Sequence, residues 1–308
     1  MSAGWTSRWW QVPAERLGWL RVVVGSSVIW HLGGNLGSYA RVAESPANMF
    51  KGVGVTQLLE GAIAPELFMG LTWATLALSV LVVLGWRTRV VAPIWAATLL
   101  FVLTYRTSWV QIYHSDNLMA LQAIVLALAP AAGASVSLDA RAGRNQGREG
   151  WEFAWPIVLM CAVTLLAYMI AGASKIAGSA GWEWAWGTTL RDQIAYNAIN
   201  KELLGGAPDV AARWAYDHPY LLRPGSVMAL VLEAGAPFAL LHRRLGKLWA
   251  VGTLGMHWGI YHLMGIAFTY PMYGWAFAAF FDLERGGGWL VQAARRWRAW
   301  ARGRLGSR

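Results

Sequence analysis

Long apolar stretches recur along most of this chain, and they constrain its fold more than any other feature. Several approach or exceed the roughly 20 residues that a helix needs to cross the hydrocarbon core of a bilayer. Of the 308 residues, 56% are hydrophobic and only 14% are charged, a balance typical of membrane proteins. Long polar segments are scarce, and no separate soluble domain is visible. The sequence therefore predicts an all-α fold, a polytopic bundle of transmembrane helices.

Hydropathy divides the chain into about eight predicted spans. Pro271 follows the seventh span almost at once, so the last two form either a tight hairpin or one broken helix. The spans make up a transmembrane domain, 17–283, between an interfacial N-terminal segment, 1–16, and a basic cytoplasmic tail, 284–308. The loop from Gly143 to Gly150 is the plausible hinge between the two halves. The predicted spans are Leu17–Tyr39, Leu67–Trp86, Val90–Trp109, Asn117–Gly133, Phe153–Ala173, Val227–Leu241, Leu248–Phe268 and Pro271–Phe281.

Basic residues predict the orientation of these spans. They concentrate in short loops and a tail that fall on one side, and the positive-inside rule makes that side cytoplasmic, with both termini inside. Topology and anionic lipid then explain the net charge of +10 better than nucleic acid does. We expect a multi-pass protein of the plasma membrane. On the outer side, the segments 40–66 and 175–224 are expected to hold interfacial amphipathic helices, Trp184–Leu204 among them. The basic residues are Arg87, Arg89, Arg141, Arg144, Arg148, Arg243, Arg244, Lys247 and the stretch Arg295–Arg308.

Lys175 ends the fifth predicted span on the outer side and is a candidate general base. A desolvated lysine can lose its proton near neutral pH, whereas an arginine cannot. The alternative is an anchor whose ammonium group reaches the lipid headgroups. The chain uses arginine for nearly all its cations, which makes this lysine unusual, although codon bias gives the same pattern.

His114 lies in a polar cluster, Tyr113 to Asn117, where the fourth predicted span begins on the outer side. In one interpretation Ser115 or Asp116 caps the helix by accepting a backbone N–H, and His114 is an interfacial neighbour. In the other, the imidazole of His114 is a base or hydrogen-bond donor in a pocket that opens to the outer face. Both interpretations remain open on the residues alone.

Two further ionisable groups fall at membrane depth, where charge is costly. Arg21 either extends to the inner headgroups or has a functional role. Glu233 pairs with Arg21 or with a histidine across the bundle, and pairing is the more natural expectation than catalysis. His257 and His262 are five residues apart on different faces of one helix, and no HExxH or CxxC motif is present, so no metal is predicted. No phosphate-binding loop or GxSxG motif is present either.

Four stretches, taken in order, form a recognisable pattern. They are Leu20–Gly25, His114-Ser115, Tyr168–Ile176 with Trp182, and Met256-His257 with Gly265–Phe268. Together they resemble the HTTM (horizontally transferred transmembrane) family, the membrane domain shared with vitamin K-dependent gamma-carboxylase. The lysine that matches Lys175 deprotonates the reduced quinone in that family, and the histidine that matches His114 assists carboxylation.

The resemblance implies a membrane-embedded, gamma-carboxylase-like enzyme with its site on the outer face, and it suggests that a secreted peptide is modified there. The implied cofactors are reduced vitamin K or menaquinone as the hydroquinone, O2, and CO2 if the protein is a carboxylase. Lys175 and His114 would be catalytic. The supporting residues would be Ser115, Tyr168, Arg21, Glu233, His257 and Trp182.

Two departures separate the chain from the carboxylase. The carboxylase has a large luminal domain that binds propeptides, whereas this chain ends soon after its last span, so we expect substrate recognition to need another subunit. Ser174 also stands where the carboxylase has a lysine.

Two other functions stay open beside the enzyme. One is an accessory membrane component of a bacterial secreted-toxin maturation system, with a secreted peptide and a small partner protein. The other is a transporter, which would need a continuous polar stripe through the bundle. Concentration of ionisable groups at the outer end argues against transport.

Overall fold

The structure is a computed structural model that describes residues 12–109, 113–143, 150–207 and 210–287, with the backbone alone for His114 and Ser115. All regular elements in these ranges are helices, as the sequence predicts. Most of the predicted N-terminal segment, hinge and basic tail lies outside them. The α-helices are α1 (Ala14–Gly34), α2 (Leu36–Ala43), α3 (Pro65–Leu84), α4 (Thr88–Thr107), α5 (His114–Ala127), α6 (Leu138–Arg141), α7 (Trp151–Ala177), α8 (Glu183–Trp186), α9 (Thr188–Leu203), α10 (Val210–Asp217), α11 (Leu222–Ala234), α12 (Arg243–Met264) and α13 (Thr269–Met272).

Short 3₁₀ helices supplement this set. They cover Ala47–Met49, Gly54–Leu58, Pro130–Gly133, Pro219–Leu221, Ala236–Leu240 and Trp275–Phe280.

Three helices of the described chain, α3, α4 and α7, are long and apolar enough to cross a membrane by length and composition. They coincide closely with the second, third and fifth predicted spans. The helix α5 is apolar but shorter, with 14 residues, and α11 has 13. These features support a membrane protein, while the remaining predicted crossings stay predictions.

The hairpin of α3 and α4 shows how local sequence sets helix ends. Pro65 occupies the first turn of α3, where its missing N–H costs nothing, and Gly85 ends the helix in the left-handed conformation at φ 66°. Asp139 then receives the backbone N–H groups of Arg87 and Thr88 at 2.9 and 2.7 Å. The start of α4 is therefore capped by a carboxylate from another element.

The first predicted span, Leu17–Tyr39, is broken in the structure. The helix α1 ends at Gly34, and Asn35, with φ −117° and ψ 13°, separates it from α2. Two consecutive glycines at the end of α1 weaken the helix there. The amide of Asn35 donates to the backbone carbonyl of His31 at 2.7 Å and so stabilises the break.

Residues 269–281 form neither of the two predicted arrangements. After Gly265 ends α12 at φ 65°, the chain makes only the four-residue α13 and a six-residue 3₁₀ helix. Residues 270–272 and 276–280 of this segment are buried, whereas Tyr273 between them is exposed. Gln122 of α5 accepts the Tyr270 hydroxyl at 2.5 Å and donates to the Ala276 carbonyl at 3.0 Å. Irregular backbone at this depth is tolerated because the surrounding protein supplies its hydrogen bonds.

One end of the bundle, which we call the Arg16 end, is joined by ion pairs. Asp282 lies 2.6 Å from Arg16, 2.6 Å from Arg243 and 2.5 Å from Lys247. Arg16 also binds Glu284 at 2.6 Å, so both belong to the bundle although we assigned them to its flanking segments. The opposite end, which we call the Lys175 end, holds the last turns of α1, α4 and α7 and the first turn of α5.

The same ion pairs set the protonation of Asp282. Partial burial works to raise the pKa of its carboxyl group, but the hydrogen bond from Lys247 and the charges of Arg16, Lys247 and Arg285 outweigh burial. The pKa of Asp282 is therefore lower than its usual value.

Candidate functional site

Lys175 and Glu233 form an ion pair at the Lys175 end of the bundle. The Lys175 Nζ lies 2.5 Å from the Glu233 Oε2, and the two side chains are 23% and 8% exposed. The indole ring of Trp184 covers the ammonium group, with its centroid 5.3 Å from Nζ. Lys175 is therefore enclosed by protein and only partly hydrated, rather than extended into solvent as a simple anchor would be.

Gly172 brings these two side chains together. A Cβ atom at Gly172 would lie 2.8 Å from the Glu233 carbonyl carbon and still closer to the backbone of Ala234. Since real Cβ atoms do not approach backbone so closely, α7 and α11 can cross at this distance only with glycine here. The close crossing sets Lys175, one turn later on α7, beside Glu233.

A second polar pair lies on the same helix, two turns before Lys175. The hydroxyl group of Tyr168 is 2.6 Å from the Nε2 of His257 on α12, and both residues are buried. The ring of Tyr168 contacts Trp249 at a centroid distance of 5.1 Å, and the ring of His257 contacts Phe268 at 5.3 Å. Phe277 lies 6.0 Å from Tyr168. Four of the predicted site residues thus meet where α7, α11 and α12 pack together.

Two buried polar atoms beside this pair have no hydrogen-bond partner among the described residues, the Nδ1 of His257 and the Oγ1 of Thr253. They lie one turn apart on the buried face of α12. When the Tyr168 hydroxyl donates to Nε2, Nδ1 carries the proton of the neutral ring. An unmet buried polar group costs about 1–3 kcal/mol, so this position suits an oxygen atom of a ligand or water.

Arg21 lies elsewhere, at the Arg16 end. Its side chain is fully buried, so the expectation that it extends to the headgroups is wrong. Its guanidinium group donates to four backbone carbonyls, those of Val82, Val83, Ala132 and Val136. Arg21 therefore does not pair with Glu233. Buried ionisable groups occur at both ends of the bundle, which corrects the expectation that they concentrate at the outer end.

The start of α5 differs from the predicted cap. The helix begins at His114, Tyr113 occupies the N-cap position, and the side chain of Tyr113 makes no capping hydrogen bond. Ser115 and Asp116 therefore lie within the first turn, where a carboxylate still interacts favourably with the helix dipole. The side chains of His114 and Ser115 lie outside what the structure describes, so their predicted roles stay predictions.

A buried cluster around Arg106 was not predicted. The Nη1 of Arg106 lies 3.1 Å from the Asp116 carboxylate and 3.4 Å from the Nε2 of His31. The hydroxyl group of Tyr39 is 3.2 Å from the same Nε2. All four side chains are less than one-tenth exposed. The signal available in the sequence was an arginine and a histidine inside predicted spans, where ionisable groups are costly.

Trp182 and the helices α9 and α10 complete the Lys175 end of the molecule. Trp182 lies in the turn before α8 and is 67% exposed, so it does not contribute a buried surface to the Lys175 pair. A groove of about 290 Å³ separates α9 from α10 and is lined mainly by apolar side chains, with Glu202 and Arg213 at its edge. The groove does not include Lys175, Tyr168 or His257.

Comparison with known proteins gives no match for this chain, whether against protein-family models, curated proteins or solved structures.

Proposed function

We propose that this chain is a multi-pass plasma-membrane protein with an HTTM-like transmembrane domain and both termini in the cytoplasm. Three membrane-length helices support this proposal. The Arg16 end carries Arg87, Arg243 and Lys247, and the positive-inside rule assigns it to the cytoplasm. The Lys175 end then faces outward. The helices α9 and α10 expose Tyr196, Trp214 and other large side chains, which suits an interfacial position.

The function that the site supports best is quinone-dependent chemistry of the gamma-carboxylase type, with Lys175 as the general base. One observation carries this proposal: a partly hydrated lysine lies 2.5 Å from a buried carboxylate, beside an aromatic polar site on the same helix. A secreted peptide is the proposed substrate, because the site faces outward.

The side chains around Tyr168 and His257 have the chemistry that the head group of a reduced quinone needs. The rings of Trp249, Phe268 and Phe277 offer flat apolar surfaces around Tyr168 and His257. The unpartnered Nδ1 of His257 offers a hydrogen bond to an oxygen atom. When bound together with O2, the reduced vitamin K or menaquinone would supply a base strong enough to remove a proton from a carbon atom of the substrate. If the protein is a carboxylase, CO2 would add to that carbon atom.

The residues of the chain would hold and move protons around that group. The amine of Lys175 accepts a proton in its neutral form, and Glu233 stabilises the ammonium group that results. Tyr168 fixes the ring of His257, and His114 is the proposed assistant at the step on the peptide substrate.

The test measures epoxide formation. The protein is reconstituted in vesicles with reduced menaquinone or vitamin K under oxygen, and the epoxide is detected by mass spectrometry. Wild type is compared with Lys175→Ala and with Lys175→Arg, which keeps the positive charge beside Glu233 but cannot release a proton. We expect loss of about 100-fold or more in both variants, the range for removing a general base.

Equal epoxide formation in wild type and Lys175→Arg would exclude Lys175 as the base. If wild type forms no epoxide and its lipid extract contains no quinone, the enzyme proposal fails.

A second candidate is an accessory role in maturation of a secreted peptide. The groove between α9 and α10 favours it, because this groove is apolar and lies on the proposed outer side, away from Lys175. Crosslinking from a photoreactive residue at Ile199, in the groove, to a peptide secreted by the same cell would support this role. A protein that binds no peptide there and forms epoxide would exclude it.

A further inference from the structure

Arg106 contacts the residues on both sides of His114. Its guanidinium carbon lies 3.8 Å from the ring centroid of Tyr113, the residue immediately before His114. Its Nη1 lies 3.1 Å from the carboxylate of Asp116, two residues after His114. One side chain from the end of α4 thus contacts the beginning of α5 at two points.

We propose that Arg106 is a positioning residue for His114. The catalytic consequence of this inference rests on the proposed function, but the contacts of Arg106 with Tyr113 and Asp116 do not depend on it. The side chain of Tyr113, at the N-cap position of α5, makes no capping hydrogen bond, so the N-cap residue itself does not hold this turn. The contacts of Arg106 replace that cap from outside and fix the backbone from which the imidazole projects.

The residues around Arg106 hold its guanidinium group in place. The ring of Tyr39 lies on the guanidinium group at 5.1 Å, and the Nε2 of His31 is 3.4 Å from Nη1. His31 is also 3.6 Å from the Asp116 carboxylate, so α1, α2 and α4 all hold the same turn of α5. Arg106 and Asp116 balance each other's charge in a buried place, where an unpaired charge would be costly.

A flat guanidinium group is required for both contacts at once. It stacks on Tyr113 through its face and donates to Asp116 from its edge, whereas a lysine ammonium offers only a point charge. Arg106→Lys therefore keeps the ion pair and loses the stack. It is the conservative variant and is compared with a double variant, Arg106→Gln with Asp116→Asn. The double variant removes both charges of the ion pair, so neither residue is left as an unpaired ion.

The experiment measures how fast diethyl pyrocarbonate modifies each histidine in the intact protein in detergent, resolved by peptide mass spectrometry. His218 and His262 serve as internal controls in every sample. Arg41→Gln is the matched control variant, since Arg41 is an exposed arginine on α2. Thermal unfolding of each variant checks that it is folded.

In the folded double variant we expect the modification rate of His114 to rise about tenfold, the factor that corresponds to roughly 1.4 kcal/mol in the opening of the turn. Arg106→Lys should give a smaller rise, and Arg41→Gln none. An unchanged His114 rate in both Arg106 variants would overturn the proposal, whether or not the protein forms epoxide.

Where wild type forms epoxide and carboxylates a glutamate peptide, the positioning role predicts a specific kinetic pattern. The kcat for carboxylation should fall about 100-fold in the double variant, the effect of misplacing a catalytic group by about 1 Å. The KM for menaquinol should not change, because Arg106 has no contact with Lys175 or His257. A matching fall in epoxide formation and carboxylation would contradict a role through His114 alone.

Discussion

Two enclosed cations, Arg21 and Lys175, occupy opposite ends of the bundle and have different partners. Arg21 is fully buried, and its guanidinium group binds four backbone carbonyls. Lys175 is 23% exposed and pairs with one carboxylate. Carbonyl oxygens cannot accept the proton of an arginine at neutral pH, so the Arg21 site only holds structure. A lysine amine can release its proton near neutral pH, whereas a guanidinium group cannot, and this difference is why we propose Lys175 rather than Arg21 as the general base.

The largest expected effect on stability belongs to Arg21→Lys. A lysine has one nitrogen in place of three and leaves some of the carbonyls of Val82, Val83, Ala132 and Val136 without donors. We expect a loss of about 3 kcal/mol in the free energy of unfolding, since each buried unmet group costs roughly 1–3 kcal/mol. Unfolding of wild type and Arg21→Lys in mixed micelles measures this loss. A loss no greater than that of Arg41→Gln would show that the carbonyls find other donors.

Gly172→Ala tests whether the close crossing of helices creates the Lys175 site. The added methyl group collides with the backbone of α11 at Glu233 and Ala234. We expect a loss of about 2 kcal/mol, in the range for overpacking a well-packed contact. Gly70→Ala is the matched control, because a Cβ atom at Gly70 on α3 meets nothing within 4 Å. Equal stability of the two variants would mean that α7 and α11 can separate without cost.

Lys175→Arg should change stability far less than Arg21→Lys does. An arginine can still pair with Glu233, and a partly exposed ion pair contributes about 1 kcal/mol or less. The same micelle unfolding experiment measures the change. A loss as large as that of Arg21→Lys would mean that Lys175 has a structural role like that of Arg21, and would weaken the comparison.

The smallest effect concerns pH and the Arg16 end. Because the folded-state pKa of Asp282 is lower than its unfolded value, near 3.9, its ion pairs contribute stability above that unfolded value. That contribution is lost as the pH falls through the folded-state pKa. The unfolding midpoint of wild type should therefore fall more steeply below about pH 4 than that of Asp282→Asn. Parallel curves for the two proteins would show that Asp282 makes no net contribution.

Much of the helical layout could be predicted from hydropathy. The helices α3, α4 and α7 are continuous apolar runs, and hydropathy predicts where each one lies but not its exact ends. The break at Asn35 was missed because the residues after it, Leu36 to Ala43, continue the helical pattern. The irregular structure of the segment 269–281 was missed because the segment is hydrophobic. Hydrophobic residues are typical both of segments buried in protein and of segments buried in lipid, and a sequence does not distinguish the two.

The site was predictable only in part. Lys175, Tyr168, Glu233 and His257 were all found, but the partner of Glu233 depends on which helices cross at Gly172, and spacing along the chain does not determine that. Arg106 was missed because its partners His31, Tyr39 and Asp116 lie on other helices. Pairwise contacts between distant segments are what a single sequence leaves open.

The irregular segment 269–281 has a consequence for biosynthesis. A transmembrane helix satisfies its own backbone and can enter a bilayer alone, but in this segment the Ala276 carbonyl accepts a hydrogen bond from Gln122 of α5 and the Tyr270 hydroxyl donates one to it. In a membrane it must therefore enter after α5 and α7 have already assembled, filling a prepared space between them. We therefore expect the bundle to be completed late during synthesis, and we expect a substitution such as Gln122→Leu to expose the protein to quality-control proteases at that stage.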